Sequence, residues 1–131
     1  MKLDIQFWLK FSLLNLCFIA FLGVLMRYKI GFDFPYLDQK HLLHSHSHFA
    51  FSGWITHTLI VLMIYFLQSK IVGFKGHHYK KTIIANLICS YGMLISFIIQ
   101  GYGLFSIFFS TATILISFYF CYQYFKDLRP I

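Results

Sequence analysis

Glutamate is missing from this chain altogether, and its four aspartates (Asp4, Asp33, Asp38 and Asp127) fall outside the long apolar runs. No carboxylate is therefore available within those runs for an acid/base pair or a proton relay. Charge of either sign is scarce. Only 11 % of the 131 residues are charged, where a soluble domain carries about 25 %. With 59 % hydrophobic residues, the chain lacks the polar surface to stay dissolved alone. That excludes a soluble enzyme, a disordered tail and a small secreted scaffold. The three cysteines (Cys17, Cys89 and Cys121) have no CxxC spacing and each falls within an apolar run. A disulfide framework is thereby excluded, and the thiols read as small buried hydrophobes. There is no internal repeat and no low-complexity tract. No small-residue cleavage site follows the first run, and Leu16 before Cys17 makes a poor lipobox. The first run therefore reads as a retained helix and not as a signal peptide.

Four apolar runs remain, at 7–26, 48–67, 82–100 and 104–125. Each is long enough, at 1.5 Å per residue, to cross a hydrocarbon core of roughly 30 Å. Only helices and closed barrels span lipid, and these runs are continuous where a barrel strand would alternate. The expected fold is all-α: one integral membrane bundle of four transmembrane helices at about 7–26, 46–67, 82–100 and 104–125. Residues 27–43 read as a loop with Gly31 and Pro35, and residues 69–81 as a basic loop with Gly73 and Gly76. Gly101-Tyr102-Gly103 is short enough to require an antiparallel helical hairpin.

The net charge of +7 raises a nucleic-acid reading. The basic residues sit at the ends of the apolar runs and not on one face, which is the pattern of membrane anchors. A lipid bilayer is the expected partner, and no nucleic acid. Lys2, Lys10, Lys70, Lys75, Lys80, Lys81, Lys126 and Arg129 belong to one side, and Arg27, Lys29 and Lys40 to the other. The positive-inside rule then puts both termini in the cytoplasm, with helix two starting at the outer face.

The chemically informative stretch opens that second helix. It contains His41, His44, His46, His48 and, within the span, His57. Neutral imidazole is a good ligand for iron, copper and zinc. On a helix His44 and His48 share a stripe, His46 points about 200° from His44, and His57 returns to nearly the face of His46. Ser45, Ser47, Ser52 and Thr56 are possible hydrogen-bond partners for the imidazoles, and Gly53 leaves room for a flat macrocycle or another helix. A histidine at a membrane edge ordinarily faces water or headgroups. Three in alternation, followed by a fourth inside the span, point to function instead. His41, His77 and His78 read as loop residues. Asn15, Asn86 and Gln100 read as interhelical hydrogen bonders. Ser90, Gly92 and Ser96 suggest close helix packing, and 118–125 an aromatic belt.

The pattern His46-Ser-His48-Phe-Ala-Phe-Ser-Gly53 resembles the His-x-His-x-x-x-x-Gly element of NnrS-type heme- and copper-containing membrane proteins. Its Phe49-Ala-Phe-Ser-Gly53 portion also resembles helix two of heme-copper oxidase subunit I, particularly the cbb type. The resemblance covers residues 1–70, the amino-terminal part of such a subunit. It implies a heme or copper cofactor, and electron transfer or oxygen or nitric oxide chemistry in the complete assembly. It also implies residence in a bacterial plasma membrane. His48 and His44 are the first candidate ligands, then His46, with His57 lining the pocket; no catalytic residue is identified. Those families carry about twelve helices and place further ligands on later ones. The remaining ligands here would come from other membrane subunits or further helices. The polar end from Lys126 to Ile131 fits either a natural end or the front of a longer protein. The isolated chain is not expected to turn over. The alternative is a non-enzymatic membrane protein that binds zinc or copper through the same histidines, or uses them structurally.

Overall fold

Asp4 starts the first helix by accepting a hydrogen bond from the Phe7 N–H at 3.1 Å. In the computed structural model, which describes residues 2–131, helix α1 runs Ile5–Gly31 and stops where Phe32 turns extended. It outlasts the predicted end at residue 26 because Arg27, Tyr28 and Lys29 carry the helix past the apolar run. Lys29 reaches forward from this last turn. Its ammonium donates to the carbonyls of Phe34 and Leu37 and lies 5.6 Å from the Phe34 ring centre. The connection to the next helix is thereby shortened to residues 32–38.

Asp38 caps α2 by accepting from the His41 N–H at 3.0 Å. Helix α2 is continuous over Gln39–Lys70. It starts seven residues before the predicted 46, so the whole histidine cluster lies on helix. Its middle, Ala50–Thr56, is π-helical. A 3-10 turn at His77–Tyr79 leads into α3, Lys80–Gln100, and α4 covers Leu104–Leu128. There are no strands among the described residues. The four-helix, all-α architecture expected from the apolar runs is what the chain adopts, and each of the four helices is long and apolar enough to cross a membrane.

The helices run alternately up and down. Leu3 N–H donates to the Lys75 carbonyl at 2.9 Å, while His78 Nε2 and the Tyr79 hydroxyl meet Asp127 at 2.8 and 2.7 Å. Both termini and the 71–79 connection therefore share one end, together with the larger group of basic residues. At the other end Gly101 turns with φ +62°. A Cβ there would fall 2.6 Å from the His41 ring, so the α3–α4 turn is seated against the first turn of α2. Helices α2 and α3 form the inner pair: 39 % and 44 % of their most apolar stretches are buried, against 22 % and 17 % for α1 and α4. The core lies toward the end that holds the termini, where Trp8, Ile64, Leu67, Tyr79, Ile83, Phe120 and Tyr124 meet. Outward-facing positions such as Phe51, Ile88, Phe108 and Leu115 leave large apolar side chains exposed on every helix of the span. Lipid, and not water, suits such a surface.

Candidate functional site

The histidines of α2 divide between its two flanks. His44 and His48, one turn apart, both face the end of α3 and the following turn. The His48 ring stacks on Phe97, 4.4 Å between centres and 11° between planes. Its Nε2 lies 3.3 Å from the Tyr102 hydroxyl. His44 meets the Tyr102 ring edge-on at 4.6 Å, and its Nε2 is buried with no hydrogen-bond partner. His41, on the same stripe, packs its ring on Gly101. His46 points to the opposite flank, toward α1. A Cβ at Gly23 would lie 3.5 Å from its ring, and its Nδ1 is buried and unpartnered. His57 also faces α1, fully buried, near Trp8 and Phe11. Its Nε2 is 3.1 Å from the Trp8 carbonyl. A carbonyl can only accept, so the proton is on Nε2, and the remaining Nδ1 lone pair is unpartnered.

Between the two groups the π-helical turns change the pitch of α2. In lipid, backbone carbonyls must find donors within the protein. The Gly53 carbonyl accepts from Asn15 Nδ2 of α1 at 2.5 Å, and the Ser52 carbonyl from Asn86 Nδ2 of α3 at 3.1 Å. Tyr91 closes the first arrangement by donating its hydroxyl to Asn15 Oδ1. Two asparagines thus grip the segment from either side, the interhelical role expected of them. Gly53 makes room for the Phe49 ring: a Cβ would sit 2.5 Å from it. The space left by this glycine is therefore filled by the chain's own aromatic ring.

Beside His48 a cleft of about 280 Å³ opens between α2 and α4, floored by Asn86 and Met93 of α3. His48 is the one histidine that lines it; His44 and His46 lie outside it, and His57 is on the α1 side. Among the described residues, no three His, Cys, Asp or Glu side chains come together as a metal site. A self-contained copper or zinc cage therefore does not fit the residues present. Ligation by one or two imidazoles does fit, because His44 Nε2 and His46 Nδ1 are buried lone nitrogens that bond to nothing else. The cleft is slightly below the roughly 300–1,000 Å³ of small-molecule sites, so a macrocycle needs a second wall.

Outside the spans, Asp38 has its carboxyl held below the ordinary value. The backbone hydrogen bond from His41 is the main cause, with the charges of His41 and Lys29 adding to it and desolvation opposing. His78, read as a loop residue, serves the Asp127 pairing. The cysteines are free. Cys17 and Cys121 are exposed on the outer helices where burial was expected, and Cys89 is half-buried. Phe97, Tyr102 and the helical placement of His41 were not anticipated. The spacing of His41, His44 and His48 after a capping aspartate was the available signal. No protein-family model, curated protein or solved structure matches the chain.

Proposed function

We propose that this multi-pass membrane protein donates imidazole ligands to a heme or copper centre completed by other polypeptide. His44 and His48 hold the centre, and His46, which faces α1 on the opposite flank, lies outside it. The observation that carries this reading is His44 Nε2, a buried nitrogen with no partner in a setting where an unpaired polar atom is costly. Phe97 and Tyr102 fix the two rings, so little rotamer freedom is lost on ligation. A bound heme iron or copper supplies one-electron transfer and the capacity to bind oxygen or nitric oxide. The chain's own residues position the ligands and exclude water. With His41 packed on Gly101, two imidazoles of that flank are left for the centre; the isolated chain does not turn over, and further membrane subunits or helices provide the other ligands. The membrane is the plasma membrane of a bacterium, both termini are cytoplasmic, and the His44–Tyr102 end lies at the outer surface, in keeping with the uneven basic residues.

A second reading is favoured by the Tyr102 hydroxyl, 3.3 Å from His48 Nε2. In it, zinc or copper is bound by His44 and His48 with the Tyr102 hydroxyl as a third donor and the remaining ligand from outside the chain, without redox turnover. Purified protein in mild detergent, titrated with hemin and separately analysed for metals, tests both. A Soret shift that is lost in His44→Ala and His48→Ala supports the heme reading. Zinc or copper lost from the same variants and from Tyr102→Phe supports the second. No Soret shift and no bound metal overturns both.

A further inference from the structure

The cleft between α2 and α4 has an unusual lining for the middle of a membrane span. Ser52, Thr56, Asn86, Ser110, Thr113 and Ser117 give it a polar wall, with no carboxylate and no lysine or arginine. Most of the hydroxyl protons on this wall are already spent. Ser52 donates to the His48 carbonyl at 2.8 Å, Thr113 to the Ser110 carbonyl at 2.8 Å and Ser117 to the Thr113 carbonyl at 2.9 Å. This back-bonding is ordinary for hydroxyls on helices, and it leaves their oxygens facing outward as acceptors. Asn86 is fully buried and spends its Nδ2 on the Ser52 carbonyl, so its Oδ1 is left without a donor. The wall therefore offers acceptors from three helices, while Thr56 and Ser110 can turn to either role. The mouth is flanked by Phe51 and Ile114, which are 67 % and 54 % exposed on the apolar outer surface. The entrance is thus from lipid.

We infer that this cleft is a binding site for a small, uncharged, hydroxyl- or amide-bearing molecule that reaches it from within the bilayer. A cation would find no carboxylate there, and an anion would find few donors, so neutrality follows from the lining. A donor group on the guest pairs with Asn86 Oδ1 and the serine and threonine oxygens, which lack donors otherwise. The volume admits roughly nine water-sized groups at ~30 Å³ each, enough for a small alcohol, a phenol or a simple amide and too little for a lipid. His48 lines the same cleft, so the inference is tested with no metal on His44 and His48, where the guest meets the hydroxyl and amide wall alone.

The test uses the full chain in lipid nanodiscs, without added metal, and fluorine NMR of two probes that differ in one donor. These are 4-fluorophenol and its O-methylated counterpart, 4-fluoroanisole. Saturable line broadening is expected for the phenol, and only the non-saturable partitioning seen with empty nanodiscs for the anisole. In Thr113→Val/Ser117→Ala the phenol should bind at least fivefold more weakly, and in Ser110→Leu, which fills the cleft, saturable binding should vanish. Equal behaviour of the two probes with the unsubstituted chain overturns the inference without any variant. So does the absence of saturable phenol binding, or phenol binding unchanged in folded variants.

Discussion

Asn15 and Asn86 spend their amides on two consecutive carbonyls of α2, at Gly53 and Ser52, from opposite sides of the helix. Hydrogen bonds between membrane helices average about 0.6 kcal/mol and reach about 1.7. Asn15→Leu and Asn86→Leu should each destabilise the bundle within that range, measured by denaturing-detergent titration. Asn15→Leu should cost more, because it also strands the Tyr91 hydroxyl; combined with Tyr91→Phe it should cost less than the sum of the two. The polar residues were legible at this scale, since an amide inside an apolar run has few fates but a neighbouring helix. The use of Gly53 was not. Nothing in a linear sequence shows that the Phe49 ring folds over that position. Cys17 and Cys121 were misplaced for a related reason: apolar runs in a lipid environment do not distinguish core from outer surface, because both are apolar.

Helix α2 begins at a carboxylate and changes pitch at its centre. The lowered pKa of Asp38 means that its folded carboxyl resists protonation relative to an unfolded one near 3.8. The stabilisation is complete above that ordinary value and is lost as pH falls through the lower folded value. The His41 amide should keep its exchange protection through the ordinary carboxylate range and lose it only as pH falls through the lower folded value. In Asp38→Asn the protection should be insensitive to pH there, because the amide still caps but does not titrate. The π-helical turns make a second prediction. Seven π residues turn through about the same angle as six α residues, so removing one residue, Phe51, should restore α pitch and leave the His41–His44–His48 stripe facing α3. With the native cysteines replaced by serine, a disulfide engineered by His44→Cys and Tyr102→Cys should form in the full-length background and still form in the deletion; its loss there would show that the turns hold no extra residue. The four spans could be read from apolar runs alone, but the start of α2 could not. The segment His41–His48 is polar, and its helicity comes from the Asp38 cap and from packing on α3. The π segment was hidden because its carbonyls are satisfied by residues 34 and 38 positions away in sequence.

At the scale of the whole molecule, the charge asymmetry and the up-down order make one statement. The termini and the Gly73 connection lie at one end, and the 32–38 connection at the other. An impermeant thiol reagent applied to intact cells should label Tyr36→Cys and spare Gly73→Cys until the membrane is broken; the reverse pattern would invert the proposed orientation.

The outer helix α4 is fastened at its ends. The short turn at Gly101 fixes one end, and Asp127, held by His78 and Tyr79, fixes the other. Between these points lies the mid-membrane cleft, with α4 as one of its walls. In Asp127→Ala, hydrogen–deuterium exchange should rise along the last two turns of α4 while its first two turns stay as protected as before. The helix that walls the cleft thus ends on a single carboxylate, about ten residues of helix at 1.5 Å each beyond Ser117.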